Sequence, residues 1–81
     1  MIKQIENIIN EWDPLDLFPL APLDEYSIEI KKIVNYLENI KEYSVGELAE
    51  KIHEIFTEMF GQENFTKSLS ECTEISKKIL S

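Results

Sequence analysis

The single histidine and the single cysteine are the residues whose types could support metal binding or nucleophilic catalysis. His53 follows Glu50 with the spacing Glu-x-x-His, which is one half of the motif that di-iron carboxylate proteins place on facing helices. The chain has no second histidine to complete that motif, and a zinc site would need further His or Cys ligands. The sequence also lacks a calcium loop, in which closely spaced oxygen ligands surround a turning glycine. We therefore expect no metal and no cofactor, with His53 at the edge of a helix face.

Cys72 is the only thiol, which excludes an intramolecular disulfide and indicates a reducing compartment. It falls within an apolar stripe formed at helical spacing by Leu69, Ile75 and Ile79. A cysteine buried in such a stripe behaves as a small apolar side chain, and its thiolate is disfavoured. The chain has only 2 glycines, too few for a Gly-rich phosphate loop, and acids on a solvated surface do not form a tuned acid–base pair. The sequence predicts no catalytic residue and no enzyme.

Apolar residues at helical spacing predict four helices, and no stretch alternates long enough to indicate a strand. The first covers about residues 2–12 and stops at Asp13-Pro14, because the residue before a proline is pushed out of the α region. The second runs from about Asp24 to Ile40.

The third helix opens at Ser44-Val45-Gly46-Glu47, a capping-box pattern, and should close at Gly61 in the left-handed conformation. The fourth covers about residues 64–80 and carries Phe65 on its apolar face. We predict an all-α fold, in which a compact bundle of four helices forms a single domain over residues 1–81 with one Pro-rich loop between helices 1 and 2.

That loop contains all 3 prolines and a set of apolar side chains, which are Leu15, Leu17, Phe18, Leu20 and Leu23. One interpretation is that the loop folds over an end of the bundle and packs around Trp12. The other is that some of these side chains stay exposed beside acidic residues, as an apolar centre with an acidic rim.

The stretches Glu11-Trp12-Asp13-Pro14 and Pro22-Leu23-Asp24-Glu25-Tyr26 resemble the signature of the YugE-like family, a small domain of unknown function. The final helix, from Cys72 to Ile79, is also similar to the closing helix of that family. The resemblance implies an all-helical fold and no assigned activity.

The net charge of -8, with no arginine, excludes two classes of partner. Nucleic acids and anionic membranes both require clustered basic residues. No segment is long and apolar enough to span a membrane, and the glutamate at position 6 argues against a secretory signal, so we expect a cytoplasmic protein. Leu, Ile, Val and Phe supply 26 of the 81 residues, which is enough for a folded core.

The excess acids fall in two places. Residues 13–25 carry four acids and no lysine, and helix 3 carries four glutamates within a wedge of roughly 80°. Such a surface could bind a basic protein, or it could be an ordinary solvated face. The predicted partner-binding residues are Asp13, Asp16, Phe18, Asp24, Glu25, Glu47, Glu50, Glu54 and Glu58.

The sequence favours a non-enzymatic protein-binding module, by analogy with acidic immunity or antitoxin proteins that neutralise a basic, nuclease-like toxin by masking its surface. The alternative is a housekeeping YugE-like protein with a structural or regulatory role, such as a self-associating helical bundle. The sequence does not decide between a monomer and a homodimer.

Overall fold

The computed structural model describes residues 2–22 and 24–81 and contains four α-helices. These are α1 (Ile2–Trp12), α2 (Ser27–Glu38), α3 (Val45–Phe60) and α4 (Leu69–Leu80). Both α1 and α3 pack against α2 and α4, so the helices form a closed ring of neighbours. The radius of gyration is 11.8 Å, close to the value of about 12 Å expected for a compact chain of this length. The predicted all-α bundle of four helices is confirmed.

The core lies between the four helices and is formed by apolar residues three or four positions apart on each of them. Each fully buried Ile, Leu or Phe contributes roughly 1.5–3 kcal/mol relative to an exposed side chain. The largest fully buried side chains are Tyr26, Phe56, Ile5, Ile9, Ile33, Leu48, Ile52, Cys72 and Ser76. No helix among the described residues has the length and apolar character needed to cross a membrane.

The predicted bounds of α1 and the predicted start of α3 are confirmed. The Ser44 hydroxyl caps α3 by accepting a hydrogen bond from the Glu47 N–H at 3.3 Å. Gly61 ends the helix with φ 85 and ψ 154. The positive φ agrees with the prediction, but the extended ψ does not, because this is a glycine-specific region rather than the left-handed helical one.

The prediction for α2 was too long at both ends. Residues 24–26 form a turn instead, with the Ser27 N–H bonded to the Asp24 carbonyl at 3.0 Å. At the other end, the Asn39 N–H reaches back only three residues to the Tyr36 carbonyl at 3.1 Å, and the Asn39 side chain bonds the Asn35 carbonyl at 2.7 Å. Local side-chain and turn bonds of this kind compete with further helix.

The predicted start of α4 was also wrong, since the helix begins at Leu69 rather than near residue 64. Ser68 is its N-cap and accepts from the Glu71 N–H at 3.1 Å. Phe65 therefore lies in the linker, where its backbone N–H bonds the Gly61 carbonyl at 2.9 Å and its side chain is buried in the core. The Ser-x-x-Glu spacing from Ser68 to Glu71 was the sequence signal for this start.

Candidate interaction surface

The Asp13 carboxylate holds the Pro-rich loop against the start of α2. Its Oδ1 accepts from the Leu17 N–H at 2.9 Å and from the Tyr26 hydroxyl at 2.6 Å, while Oδ2 accepts from the Phe18 N–H at 3.1 Å. The Tyr26 hydroxyl in turn accepts from the Leu15 N–H at 3.1 Å. These four bonds join both ends of the loop, so the loop has a defined conformation.

The charge state of Asp13 follows from these bonds. Burial raises the pKa of Asp13, but the bonds from Tyr26, Leu17 and Phe18 outweigh burial and leave the pKa below its usual value. Lys67 of the α3–α4 linker also favours the ionised carboxylate, although residues 13–25 themselves contain no lysine. Burial, and then the bond to Asp13, raise the pKa of Tyr26. Asp13 is therefore ionised and its oxygens are engaged within the chain.

The apolar side chains of the loop divide into two groups. Leu15, Leu17 and Phe18 are partly buried against the core, and the Phe18 ring lies 5.5 Å from the Tyr26 ring. Leu20 is 97% exposed. Leu15, Leu17 and Phe18 therefore pack as the first interpretation predicts, and among the described residues of the loop Leu20 is exposed as the second requires. An acidic rim around Leu20 stays a prediction. Leu23 lies outside the described residues.

The aromatic neighbours of Trp12 are rings of the core, and the loop's Phe18 is not among them. The Trp12 ring lies 5.8 Å from Phe56 and 6.1 Å from Phe65 in edge-on contacts, and its Nε1 donates to the Glu71 carboxylate at 3.2 Å. Trp12 thus joins α1 to α3, to the linker and to α4. The loop contacts Tyr26, whose hydroxyl accepts from the Leu15 N–H and whose ring lies beside Phe18.

Seven of the nine predicted partner-binding residues are exposed. They are Asp16, Asp24, Glu25, Glu47, Glu50, Glu54 and Glu58. Asp13 and Phe18 are half-buried. Glu54 forms an exposed ion pair with Lys51 at 3.5 Å, which is a weak interaction in water.

The fold brings the segment just before α2, which carries Asp24 and Glu25, near the last turn of α3. The Tyr26 and Phe60 rings lie 6.3 Å apart, so the segment that carries Glu25 sits against the last turn of α3, which carries Glu58. Glu47 is eleven residues earlier, or about 16 Å along the helix axis. We use the name acidic end of the bundle for the exposed residues Asp16, Leu20, Asp24 and Glu25, together with Glu58 in the last turn of α3.

His53 and Cys72, whose types could have supported metal binding or catalysis, both contact the core. His53 is half-buried and its ring lies 5.5 Å from Phe65. Cys72 is fully buried, and burial followed by the charge of Glu71 raises the pKa of the thiol to about 11. In the described part of the chain, no three His, Cys, Asp or Glu side chains come together where a metal ion could bind.

Glu29 is a buried carboxyl that the sequence analysis missed. It is 2% exposed, and its Oε1 is buried without a hydrogen-bond partner among the described residues. Burial raises the pKa of Glu29, and the neighbouring charge of Glu25 adds to that shift. Its position three residues after Tyr26 and four before Ile33 is the spacing of a core face, which was the available signal.

Helix order and the absence of strands among the described residues place the protein in the class of small all-α domains. The chain belongs to the family described as Domain of unknown function (DUF1871), whose family model matches residues 4–81. No curated protein and no solved structure matches the chain. The family match supports a domain of unknown function, while the YugE-like name and its signature stay predictions.

Proposed function

We propose that this domain is a non-enzymatic binding module for a basic protein. The observation that carries the proposal is the acidic end of the bundle, which combines exposed acids of the loop and of α3 with the exposed Leu20. Residues 13–25 contain four acids and no lysine, so the loop itself carries a net negative charge. An apolar anchor within a charged rim is the usual arrangement of a protein–protein site.

The mechanism of such a module is electrostatic and steric. The negative surface accelerates encounter with a positive partner, and contacts of Leu20 slow dissociation. If the partner is a nuclease-like toxin, the acids cover the positive surface that the toxin needs for its nucleic acid. The domain would then be an immunity or antitoxin protein.

A capture experiment at two salt concentrations tests the proposal. The immobilised domain is mixed with the purified product of any large basic reading frame next to its gene, and with host extract. We expect a basic protein to be retained at low salt and released at high salt, because screening weakens exposed charges. The triple reversal of Asp24, Glu25 and Glu58, three exposed acids of the acidic end, to lysine should abolish retention.

The matched control reverses Glu38, Glu42 and Glu74, three exposed acids away from the acidic end, and makes the same change in net charge. Retention by the control with loss in the first variant supports a specific surface. The proposal is wrong if no basic protein is retained at low salt, or if both variants capture equally.

Self-association through the loop is the second candidate, and the exposure of Leu20 is the observation that favours it. It agrees with a housekeeping role in the YugE-like family, structural or regulatory rather than inhibitory. Light scattering after gel filtration separates the two. A dimer that becomes a monomer when Leu20→Ser is introduced supports self-association, and a monomer in both proteins excludes it.

A further inference from the structure

The excess of acids over lysines lies at one end of the four-helix bundle. Neighbouring helices run in opposite directions, because Tyr26 before α2 contacts Phe60 at the end of α3, and Trp12 at the end of α1 bonds Glu71 in the first turn of α4. The end that holds the Pro-rich loop therefore comprises residues 11–29 and 58–71, which contain nine acids and one lysine. This difference equals the net charge of -8 of the whole chain.

The opposite end of the bundle is neutral. It comprises residues 2–6, 37–47 and 77–81, where the start of α1, the end of α2, the start of α3 and the end of α4 lie together. Its four lysines balance its four acids, and these are Lys3, Lys41, Lys77, Lys78, Glu6, Glu38, Glu42 and Glu47. We call this set of residues the neutral end of the bundle.

The charges of the neutral end are separated into two halves. The half formed by α1 and α4 carries three lysines and one acid, whereas the half formed by α2, α3 and their connection carries three acids and one lysine. Lys3 and Lys77 pair with acids of their own helices. Lys78, Glu38 and Glu42 are exposed and form no ion pair within the described residues.

The neutral end also has an apolar centre. A cavity of about 220 Å³ opens there, lined by Gln4, Ile5, Leu37, Tyr43, Ile79 and Leu80. The Tyr43 side chain is 58% exposed, and Ile79 and Leu80 are half-buried. An accessible tyrosine beside an apolar cavity is typical of the anchors that dominate protein–protein contacts.

We propose that the neutral end binds the neutral end of a second copy of this chain, in a two-fold symmetric end-to-end dimer. A two-fold axis in the plane of contact places the α1–α4 half of each copy against the α2–α3 half of the other, so lysines face acids twice. The same arrangement keeps the two strongly negative ends farthest apart, which minimises their repulsion. The inference does not depend on the proposed function, because the dimer leaves both acidic ends accessible.

A contact confined to one end of a small bundle buries on the order of 1,000 Å², so we expect a weak dimer with a Kd of roughly 100 µM. Sedimentation equilibrium from about 10 µM to about 1 mM should show the mass rising from monomer towards dimer. Tyr43→Ser should weaken the dimer by about tenfold, the effect of removing an interface anchor. Leu20→Ser at the other end of the bundle should leave the Kd unchanged.

Two charge variants test the opposed halves. Lys77→Glu with Lys78→Glu makes the neutral end acidic, and Glu38→Lys with Glu42→Lys makes it basic. We expect each variant to be monomeric alone and an equimolar mixture to form a heterodimer, since only the mixture places opposite charges together. The matched control is Lys31→Glu with Lys32→Glu, two adjacent exposed lysines in the middle of α2, which should dimerise within about threefold of the parent.

The inference is overturned if the parent stays monomeric throughout, if the dimer survives Tyr43→Ser and both charge variants, or if their mixture stays monomeric. Loss of the dimer in Leu20→Ser, with retention in Tyr43→Ser, would place the contact on the loop and overturn it as well. Circular dichroism verifies that every variant folds. Reversal of Glu38 and Glu42 does not alter the acidic end, so capture of a basic protein by that variant tests the proposed function separately.

Discussion

Asp13 and Tyr26 come from the two most distinctive stretches of the sequence, and the structure joins them by a hydrogen bond of 2.6 Å. Their thirteen-residue separation spans the Pro-rich loop, and both side chains bond loop N–H groups. A structural role accounts for these two residue types, because a buried hydroxyl and a carboxylate are costly unless they are paired. Both oxygens of Asp13 already accept hydrogen bonds within the chain. That Asp13 also contacts a partner stays a prediction.

The variants Asp13→Ala and Tyr26→Phe should each lower the free energy of unfolding by about 1–3 kcal/mol, because each leaves loop groups without partners. The double variant should lose less than the sum of the two, since the residues share one bond. Urea denaturation measures all three differences. Strict additivity would contradict the coupling of the two residues.

The lowered pKa of Asp13 also gives a pH dependence. Its stabilising effect is complete above the model-compound pKa of 3.8 and is lost as the pH falls through the lower value of the folded protein. When the pH is lowered from neutral to strongly acidic, the free energy of unfolding of Asp13→Ala should therefore fall by less than that of the parent protein.

The pKa shift of Glu29, and with it the effect of pH on stability, has the opposite sign to that of Asp13. Because burial raises the pKa of Glu29, the native state favours the protonated carboxyl, and its stability falls as the pH rises from 4.5 through the folded value. Glu29→Gln should stabilise the protein at neutral pH by on the order of 1 kcal/mol, and the gain should shrink towards acidic pH. The exposed Glu38→Gln on the same helix is the control. A gain that is independent of pH would show that the charge of Glu29 is not the cause.

Among the helices, two local signals gave the correct ends, whereas the local signals of Ser68 at the start of α4 and Asn39 at the end of α2 were overlooked. Pro14 stopped α1, and the Ser44 cap began α3, at the predicted residues. The start of α2 depends instead on Tyr26, whose hydroxyl is held by Asp13 across the loop, a tertiary contact that periodicity does not reveal. Phe65 fits a helical pattern, although it fills the core from a linker.

The two glycines at opposite ends of α3 should respond to alanine in opposite directions. Gly61→Ala should cost about 1–3 kcal/mol, because its backbone at φ 85 and ψ 154 strains any side chain. Gly46→Ala should add roughly 0.5 kcal/mol, since the new methyl group meets only Ser44 Oγ at 4.0 Å and alanine favours helix. Thermal denaturation of both variants measures the difference. Destabilisation by Gly46→Ala would mean that residue 46 meets a constraint beyond helix propensity.

For the whole molecule, composition predicted the total charge but not which charges would lie together. The wedge of glutamates on α3 follows from helical spacing alone, and all four members are exposed. The proximity of the start of α2 to the end of α3 depends on the contact of Tyr26 with Phe60, two residues that are far apart in sequence. The sequence also does not show that Leu20 and Phe18 differ in exposure. The Phe18 ring contacts Tyr26, whereas Leu20 is almost fully exposed.

The fully buried Cys72 makes the rate of thiol labelling a measure of how often the native bundle opens. A thiol reagent cannot reach this sulfur until the bundle opens, so the time course of labelling counts opening events in the native protein. No probe has to be introduced, and the single cysteine makes the signal unambiguous. A bound partner that spans two or more helices would slow the labelling of Cys72, whether or not its binding changes the average structure.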